Sequence, residues 1–222
     1  MNKLVIFDID RTIYNGSIFL DYSLHLIQKN LISPKFLSSI GFEFVTYQTG
    51  FESYDELVRD CLNYFFEEIK TINPETLKKE LKECILKNHH KFYDFSFLTT
   101  QNYPNYDYLI ISLEPEFIVE EIAKLIKIPN YVCNKFMDEG KFLSKPNLIF
   151  DKEILLNQTK FKDHVPFATF GDSESDLKLL LKAENMFVIN PTSNLQKELK
   201  SKQHTFYNPD NIFENISKVF KN

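Results

Sequence analysis

Asp8, Asp10 and Thr12 follow one another at intervals of two, directly after a short apolar run, Leu4 to Phe7. A second acidic pair, Asp172 and Asp176, follows another such run, Phe167 to Phe170, across Gly171. Ser112 closes a third, Tyr108 to Ile111. Carboxylates can serve as nucleophiles, as proton donors and acceptors, or as oxygen ligands for a hard cation. A hydroxyl at the end of a strand can donate to an anion. Four carboxylates meeting at one point repel one another, and a divalent ion with oxygen ligands, most simply Mg²⁺, relieves that repulsion.

These groups meet only if the elements bring them together. Short continuous apolar runs read as strands buried on both faces of a parallel sheet. In an open parallel sheet the ligand site lies outside the carboxyl ends of the strands, which is where all three runs leave their polar residues. Further strands are expected at 131–136, 186–189 and 204–207, and a hairpin or loop at 141–148. Helices are expected at 115–127, 151–160, 174–182, 193–201 and 211–220. Strands alternating with helices define an α/β fold, a doubly wound parallel-sheet (Rossmann-like) core. Between residues 17 and 95 the pattern changes to helical periodicity, in segments near 17–30, 34–47, 53–69 and 74–92. Ser33-Pro34 and Asn73-Pro74 each set an N-cap residue before a proline suited to the first helical turn. The expected organisation is a core of residues 1–14 and 104–222 with an inserted all-helical cap domain, 15–103. Asn102 to Asn105 is the expected return crossing.

Composition narrows the function classes. A hydrophobic fraction of 43% with 26% charged residues belongs to a globular chain, not a disordered one. A formal charge of −5 is a poor basis for nucleic-acid binding, which rests on phosphate neutralisation. The cysteines Cys61, Cys84 and Cys133 form no C-x-x-C pair, against a zinc site or a disulfide framework and in favour of a reducing, cytoplasmic setting. The five histidines include no H-E-x-x-H, and no Walker A loop or G-x-G-x-x-G is present. Nothing approaches the ~18 apolar residues of a membrane span, and the run at Leu4 is too short for a signal-peptide core. Monomer and homodimer are both open.

At Phe7-Asp8-Ile9-Asp10-Arg11-Thr12, Ser112, Lys152 and Gly171-Asp172-Ser173-Glu174-Ser175-Asp176, the chain resembles the haloacid dehalogenase-like hydrolases. The segment Ser112-Leu-Glu-Pro-Glu-Phe-Ile-Val-Glu is similar to the subclass containing phosphoserine phosphatases, whose helical cap follows the first motif. The resemblance implies an Mg²⁺-dependent phosphatase that forms an aspartyl-phosphate on Asp8, with Asp10 as general acid and then base. It implies metal contacts from Asp8, the Asp10 carbonyl and Asp172, and phosphate contacts from Thr12, Ser112 and a lysine. Asp176 and Ser173 would support the metal site. Lys152 suits the lysine by its place at the start of a helix, with Lys141, Lys145 and Lys160 as rivals. Arg11 stands where relatives carry a small residue, and is expected to point to solvent.

The cap bears on substrate. Phosphoserine phosphatases carry, five residues after the motif threonine, a glutamate for the substrate ammonium; here the position is Ser17, which counts against phosphoserine. Arg59 corresponds to their carboxylate-binding arginine, though Asp55 and Asp60 are equally available to it. The expected partner is a small phosphomonoester: an amino-alcohol, polyol or sugar phosphate. A phosphotransferase or mutase, or a non-catalytic phosphate-binding module, are the alternatives on the same scaffold.

Overall fold

The computed structural model describes residues 2–138, 140–199 and 206–221. Six parallel strands form the main sheet: β1 (Leu4–Phe7), β2 (Asp107–Pro115), β3 (Asn130–Asn134), β6 (Ala168–Gly171), β7 (Asn185–Ile189) and β8 (Phe206–Tyr207). Their order is β3-β2-β1-β6-β7-β8. The chain therefore winds one way from β1 to β3 and the other way from β6 to β8. The crevice between β1 and its neighbours is the topological switch point, the expected place for a ligand in such sheets. Both β1 and β6 are buried along their whole length, as their unbroken apolar runs require. Strands β4 (Met137–Asp138) and β5 (Lys141–Phe142) form a separate antiparallel hairpin.

Helices α6 (Glu116–Ile126), α7 (Lys152–Asn157), α8 (Leu177–Lys182), α9 (Ser193–Leu199) and α10 (Ile212–Phe220) accompany the sheet. The segment 174–176 is a 3-10 turn leading into α8, so the helix expected at 174–182 starts as a tighter coil. Helix α9 is described to Leu199 and β8 from Phe206; His204 of the expected strand lies outside the described residues.

Four helices fill the insertion: α1 (Ile18–Gln28), α2 (Lys35–Gln48), α3 (Tyr54–Ile69) and α4 (Pro74–Lys87). Local chemistry sets their starts. Ser53 and Glu56 form a reciprocal capping box at α3, and Asn73 accepts from the Glu75 amide at α4. The helix expected to reach 92 ends at Lys87. A 3-10 turn, His89–Lys91, follows, and then extended backbone. There the two connecting segments pair: Asn15 donates to Lys91 O at 2.8 Å and Tyr93 to Ile13 O at 3.0 Å, around a Tyr14–Phe92 bridge. The return crossing thus lies at 91–93, ahead of Asn102–Asn105.

An unexpected helix, α5 (Asp94–Asn102), follows this crossing. It packs on the sheet, the Phe95 ring lying 5.8 Å from Phe170 and 6.5 Å from Phe7. Its Phe95 and Phe97 alternate as in a strand, which hides a helix from periodicity. One buried apolar cluster continues from the sheet residues Phe7 and Ile110 through Tyr22 and Phe65 of the insertion. The helices are therefore seated on the core by shared packing.

Candidate active site

Strand β1 delivers Asp8 and then turns. The Asp8 amide still donates to Phe170 O of β6 at 3.1 Å, while the amides of Thr12, Ile13 and Tyr14 all fold back onto Ile9 O. Arg11 lies in the left-handed region at φ 58° within this turn. The geometry sets Asp8 on the sheet axis and Asp10 on the side facing the insertion. There the Ile18 amide, at the start of α1, donates to Asp10 Oδ1 at 2.9 Å. A helix N-terminus favours a carboxylate at this point.

Lys152 opens α7, whose N-cap Asp151 accepts from the Glu153 amide. Its side chain is only 3% exposed and its ammonium bridges two acids, Asp8 Oδ1 at 2.5 Å and Asp176 Oδ1 at 2.7 Å. Lys152 is thus the lysine that reaches Asp8. Burial alone would lower its pKa, but the charges of Asp176 and Asp8 outweigh burial and raise it, so it stays cationic. The other oxygen of Asp176 accepts from the amides of Asp172 and Ser173, each at 3.1 Å, and from the Ser173 hydroxyl. With both oxygens engaged, Asp176 orients Lys152 and the 172–173 turn. Gly171 permits this closeness: a Cβ there would stand 2.6 Å from Asp176 Cβ.

Asp172, nearly buried, receives Arg11 Nε at 2.9 Å. Arg11 also donates to Asn190 O at 2.8 Å. Arg11 is exposed, as expected, but it does not simply point to solvent, because its Nε is drawn to a buried carboxylate.

The site holds more negative charge than its cations offset. Asp8, Asp10, Glu114, Asp172 and Asp176 face Lys152 and Arg11. Desolvation raises Asp8 to about 7 despite Lys152, and raises Asp10 to about 6 despite hydrogen bonds from Ser17 and Ile18. Desolvation, followed by the charge of Asp8, lifts Asp172 well above the usual carboxylate range. Carboxylate oxygens of Asp8, Asp172 and Asp176 lie within 4.8 Å of one another. A buried set of hard oxygen donors with excess negative charge fits a divalent cation of the Mg²⁺ type. Asp8 and Asp172 have oxygens to offer it; the Asp10 side chain is directed instead to the start of α1.

Ser112 on β2 is buried beside these acids, its hydroxyl accepting from the Glu114 amide at 3.2 Å. Thr12 is fully buried, and its hydroxyl has no hydrogen-bond partner among the described residues. It is not among the residues lining the cavity above the acids. Arg59 is corrected: its guanidinium is 45% exposed and paired with its neighbour Asp60 at 2.8 Å, away from that cavity. The adjacent acid satisfies it before any substrate can.

The cavity has a volume of about 470 Å³. Its floor is Asp8, Asp10, Ser112, Lys152, Asp172 and Ser173. Its walls come from α1, α2 and α3, including Leu20, Ile40, Phe44 and Leu62. Two further polar residues join it. Tyr54, at the start of α3, lies close enough to the acids that burial and then Asp172 and Asp8 keep its hydroxyl protonated. Glu114 shares a hydrogen bond with Asp10; burial and the Asp10 charge raise its pKa well above normal. Glu114 lies two residues beyond Ser112, where the register of β2 with β3 is irregular and Ser112, Leu113 and Glu114 all line the cavity. The strand was expected to stop at Ser112, but β2 continues to Pro115.

No family model matches the chain. It is 25% identical to a curated histidinol-phosphatase of Neisseria meningitidis serogroup C (strain 8013), over 91% of this chain and 96% of the relative. Its fold is shared with a protein of unknown function from Bordetella pertussis Tohama I, at TM-score 0.75 and 10% identity, covering 94% of this chain and all of that one. It is also shared with a phosphoserine phosphohydrolase-like protein from Francisella tularensis subsp. tularensis SCHU S4, at TM-score 0.64 and 18% identity, covering 98% and 99%. The fold is thus one that phosphoserine phosphatases and other haloacid dehalogenase-like hydrolases share, and the motif order is the one the sequence resemblance rests on. The curated relative, and several of the proteins with this fold, are phosphatases.

Proposed function

We propose that the chain is an Mg²⁺-dependent phosphatase that releases phosphate from a small phosphomonoester through an aspartyl-phosphate on Asp8. The observation that carries this reading is the buried Asp8–Lys152–Asp176 bridge beneath a cavity with Asp10 on its other side. Helices α1 to α4 act as the cap that encloses the leaving group, with α5, at the end of the expected 15–103 insertion, packed on the core.

The ester phosphorus sits over Asp8, its oxygens near Ser112 and the Lys152 ammonium. An Asp8 carboxylate oxygen bonds to phosphorus, the ester P–O bond breaks, and the Asp10 carboxyl gives its proton to the departing oxygen. Water then gives a proton to Asp10 and bonds to phosphorus, the Asp8–phosphorus bond breaks, and orthophosphate leaves. A carboxyl raised to about 6 suits both halves, since it can give and regain a proton near neutrality. Held by Asp8 and Asp172, with the Asp10 carbonyl as the third protein ligand, Mg²⁺ would neutralise charge on the phosphoryl group and on the acids around it. Lys152 adds a fixed positive charge where the transferring group is most anionic. The apolar walls from the cap keep bulk water off the leaving group.

The substrate belongs among amino-alcohol, polyol and sugar phosphates, and the histidinol-phosphatase relative weights the first. The test is phosphate release from a panel of these esters with Mg²⁺ or with EDTA, on wild type and Asp8→Asn. Release that needs both the metal and Asp8 is expected. Metal-independent release, or turnover by Asp8→Asn, would refute the reading.

A further inference from the structure

The phosphate end of the cavity is furnished with Lys152, Ser112 and the acids already described. The other end is largely hydrocarbon, and beside Ser17 and Tyr54 it holds one acid. Glu114 lines the cavity and shares a hydrogen bond with Asp10, while its Oε2 is buried with no hydrogen-bond partner among the described residues. A buried carboxyl oxygen left unpaired is costly, and such atoms in native structures call for an explanation. Among the described residues that line the cavity, Lys152 is the one cation, and its ammonium is taken by Asp8 and Asp176. Among the described residues, none forms an ion pair with Glu114.

We propose that Glu114 is a specificity-determining residue that receives a cationic group on the leaving alcohol, so that the substrate is a phosphomonoester of an amino alcohol or a related cationic alcohol. The proposal rests on the phosphatase reading above and names the substrate class of the same site. A substrate ammonium supplies the donors and the positive charge that Oε2 lacks. The surrounding hydrocarbon of Leu20, Leu57 and Leu62 strengthens this attraction by excluding water.

Strand geometry also sets the distance. Ser112 and Glu114 are alternate residues of β2, roughly 6–7 Å apart along the strand. Glu114 touches Asp10, the proton donor to the ester oxygen. A cation bound by Glu114 therefore lies within a few bonds of the ester oxygen, as in a 2-amino alcohol. Among the described residues lining the cavity no unpaired cation is left for a carboxylate, and Arg59 is turned away to Asp60. An amino alcohol without a carboxylate fits better than a phosphoamino acid.

The test compares matched esters on the Mg²⁺-loaded enzyme: 2-aminoethyl phosphate against 2-hydroxyethyl phosphate, and histidinol phosphate against glycerol phosphate. Wild type is expected to favour the cationic member of each pair by roughly 10- to 100-fold in kcat/KM. In the near-isosteric Glu114→Gln the ratio should fall toward one, mainly through a higher KM for the cationic ester. Wild-type turnover of both members without preference would overturn the proposal and leave the phosphatase reading intact. An equal loss on both members in Glu114→Gln, borne by kcat, would also overturn it, by showing that Glu114 acts only through Asp10. No metal-dependent release from any ester would overturn the phosphatase reading, and this proposal with it. The wild-type comparison stands whether or not the variant folds.

Discussion

The two ends of the active-site cavity are built on different principles. At the phosphate end, buried charges are fixed by one another: Lys152 spans Asp8 and Asp176, and Arg11 holds Asp172. Each is set by the end of a strand or the first turn of a helix. At the leaving-group end, aliphatic and aromatic side chains of α1, α2 and α3 form a wall whose polar content is Ser17, Tyr54 and Glu114. On the proposed function, the first end acts alike on any ester and the second distinguishes one ester from another. Substitutions at the two ends should therefore differ in kind: at the phosphate end the loss should be the same for every leaving group, and at the cap end it should depend on which one is attached.

Asp8→Asn gives the largest expected effect. Removing the nucleophile should lower kcat by roughly 10⁴-fold or more for every ester tested. The amide cannot form the acyl-phosphate, whatever leaves. A loss that varied strongly among esters would break the division just drawn, because it would make Asp8 a reader of the leaving group.

Asp10→Asn tests the boundary between the ends. The residue touches both, through Ile18 at the cap and Glu114 at the wall. Its loss should cost about 10²–10⁴-fold for an alkyl phosphate, which needs a proton on departure. An aryl phosphate such as p-nitrophenyl phosphate leaves without one, so its penalty should be much smaller. Equal penalties on the two would remove the general-acid role.

Metal binding should sharpen the phosphate end without touching the cap. In the metal-free protein, Asp8 is raised from 3.8 to about 7 by desolvation. A folded-state pKa above the unfolded one means that the folded chain binds more protons between those values. Stability is then full below about pH 4 and is lost as pH rises toward 7. Saturating Mg²⁺ should offset that loss, raising Tm by roughly 5–10 °C at pH 8 and by less at pH 5. Thermal melts with Mg²⁺ and with EDTA at the two pH values measure this directly. A larger gain at pH 5 than at pH 8 would contradict the charge argument.

The same division explains what the sequence disclosed. Asp8, Asp10, Ser112, Lys152, Asp172 and Asp176 stand where strands end or helices begin, and such places leave local marks: an apolar run, a capping residue, a fixed spacing. The sheet was legible for the same reason, since its central strands are unbroken apolar runs. The site's remaining features depend on contacts between distant segments. Glu114 was missed because β2 runs on beyond Ser112, through an irregular register with β3 that the chain alone does not display. Arg11 was misjudged because Asp172, its partner, is far away in sequence. Arg59 was drawn toward the substrate by its position in the insertion, whereas the neighbouring Asp60 had the prior claim. Helix α5 carries the alternation of a strand because Phe95 is fixed by stacking on the sheet.

The smallest expected effect concerns how the two ends are held together. Tyr47, near the end of α2, places its hydroxyl 3.2 Å from Glu174 Oε1, and Asn194 Nδ2 lies 3.3 Å from the same hydroxyl. Glu174 also accepts from Thr192 at 2.7 Å and from Asn194 at 2.8 Å, so its carboxylate is anchored on the core side. The Tyr47 ring meets Tyr54 edge-on at 6.0 Å, and Tyr54 lines the cavity. This is a polar tie between insertion and core, and a hydrogen bond to a charged group adds about 1.5–3 kcal/mol when well formed. At 3.2 Å and partly exposed, the Tyr47 bond belongs below that range. Tyr47→Phe keeps the ring contact and removes the hydroxyl. If the tie favours the closed arrangement by about 1 kcal/mol, its loss lowers the closed-to-open ratio roughly fivefold. The expected result is a rise of two- to fivefold in KM, with the Mg²⁺ requirement and the Asp10-dependent difference between alkyl and aryl esters preserved. A kcat loss of 10²-fold or more for all esters would mean that the tie positions the acids themselves, and the cap could no longer be treated as a reader separate from the chemistry beneath it.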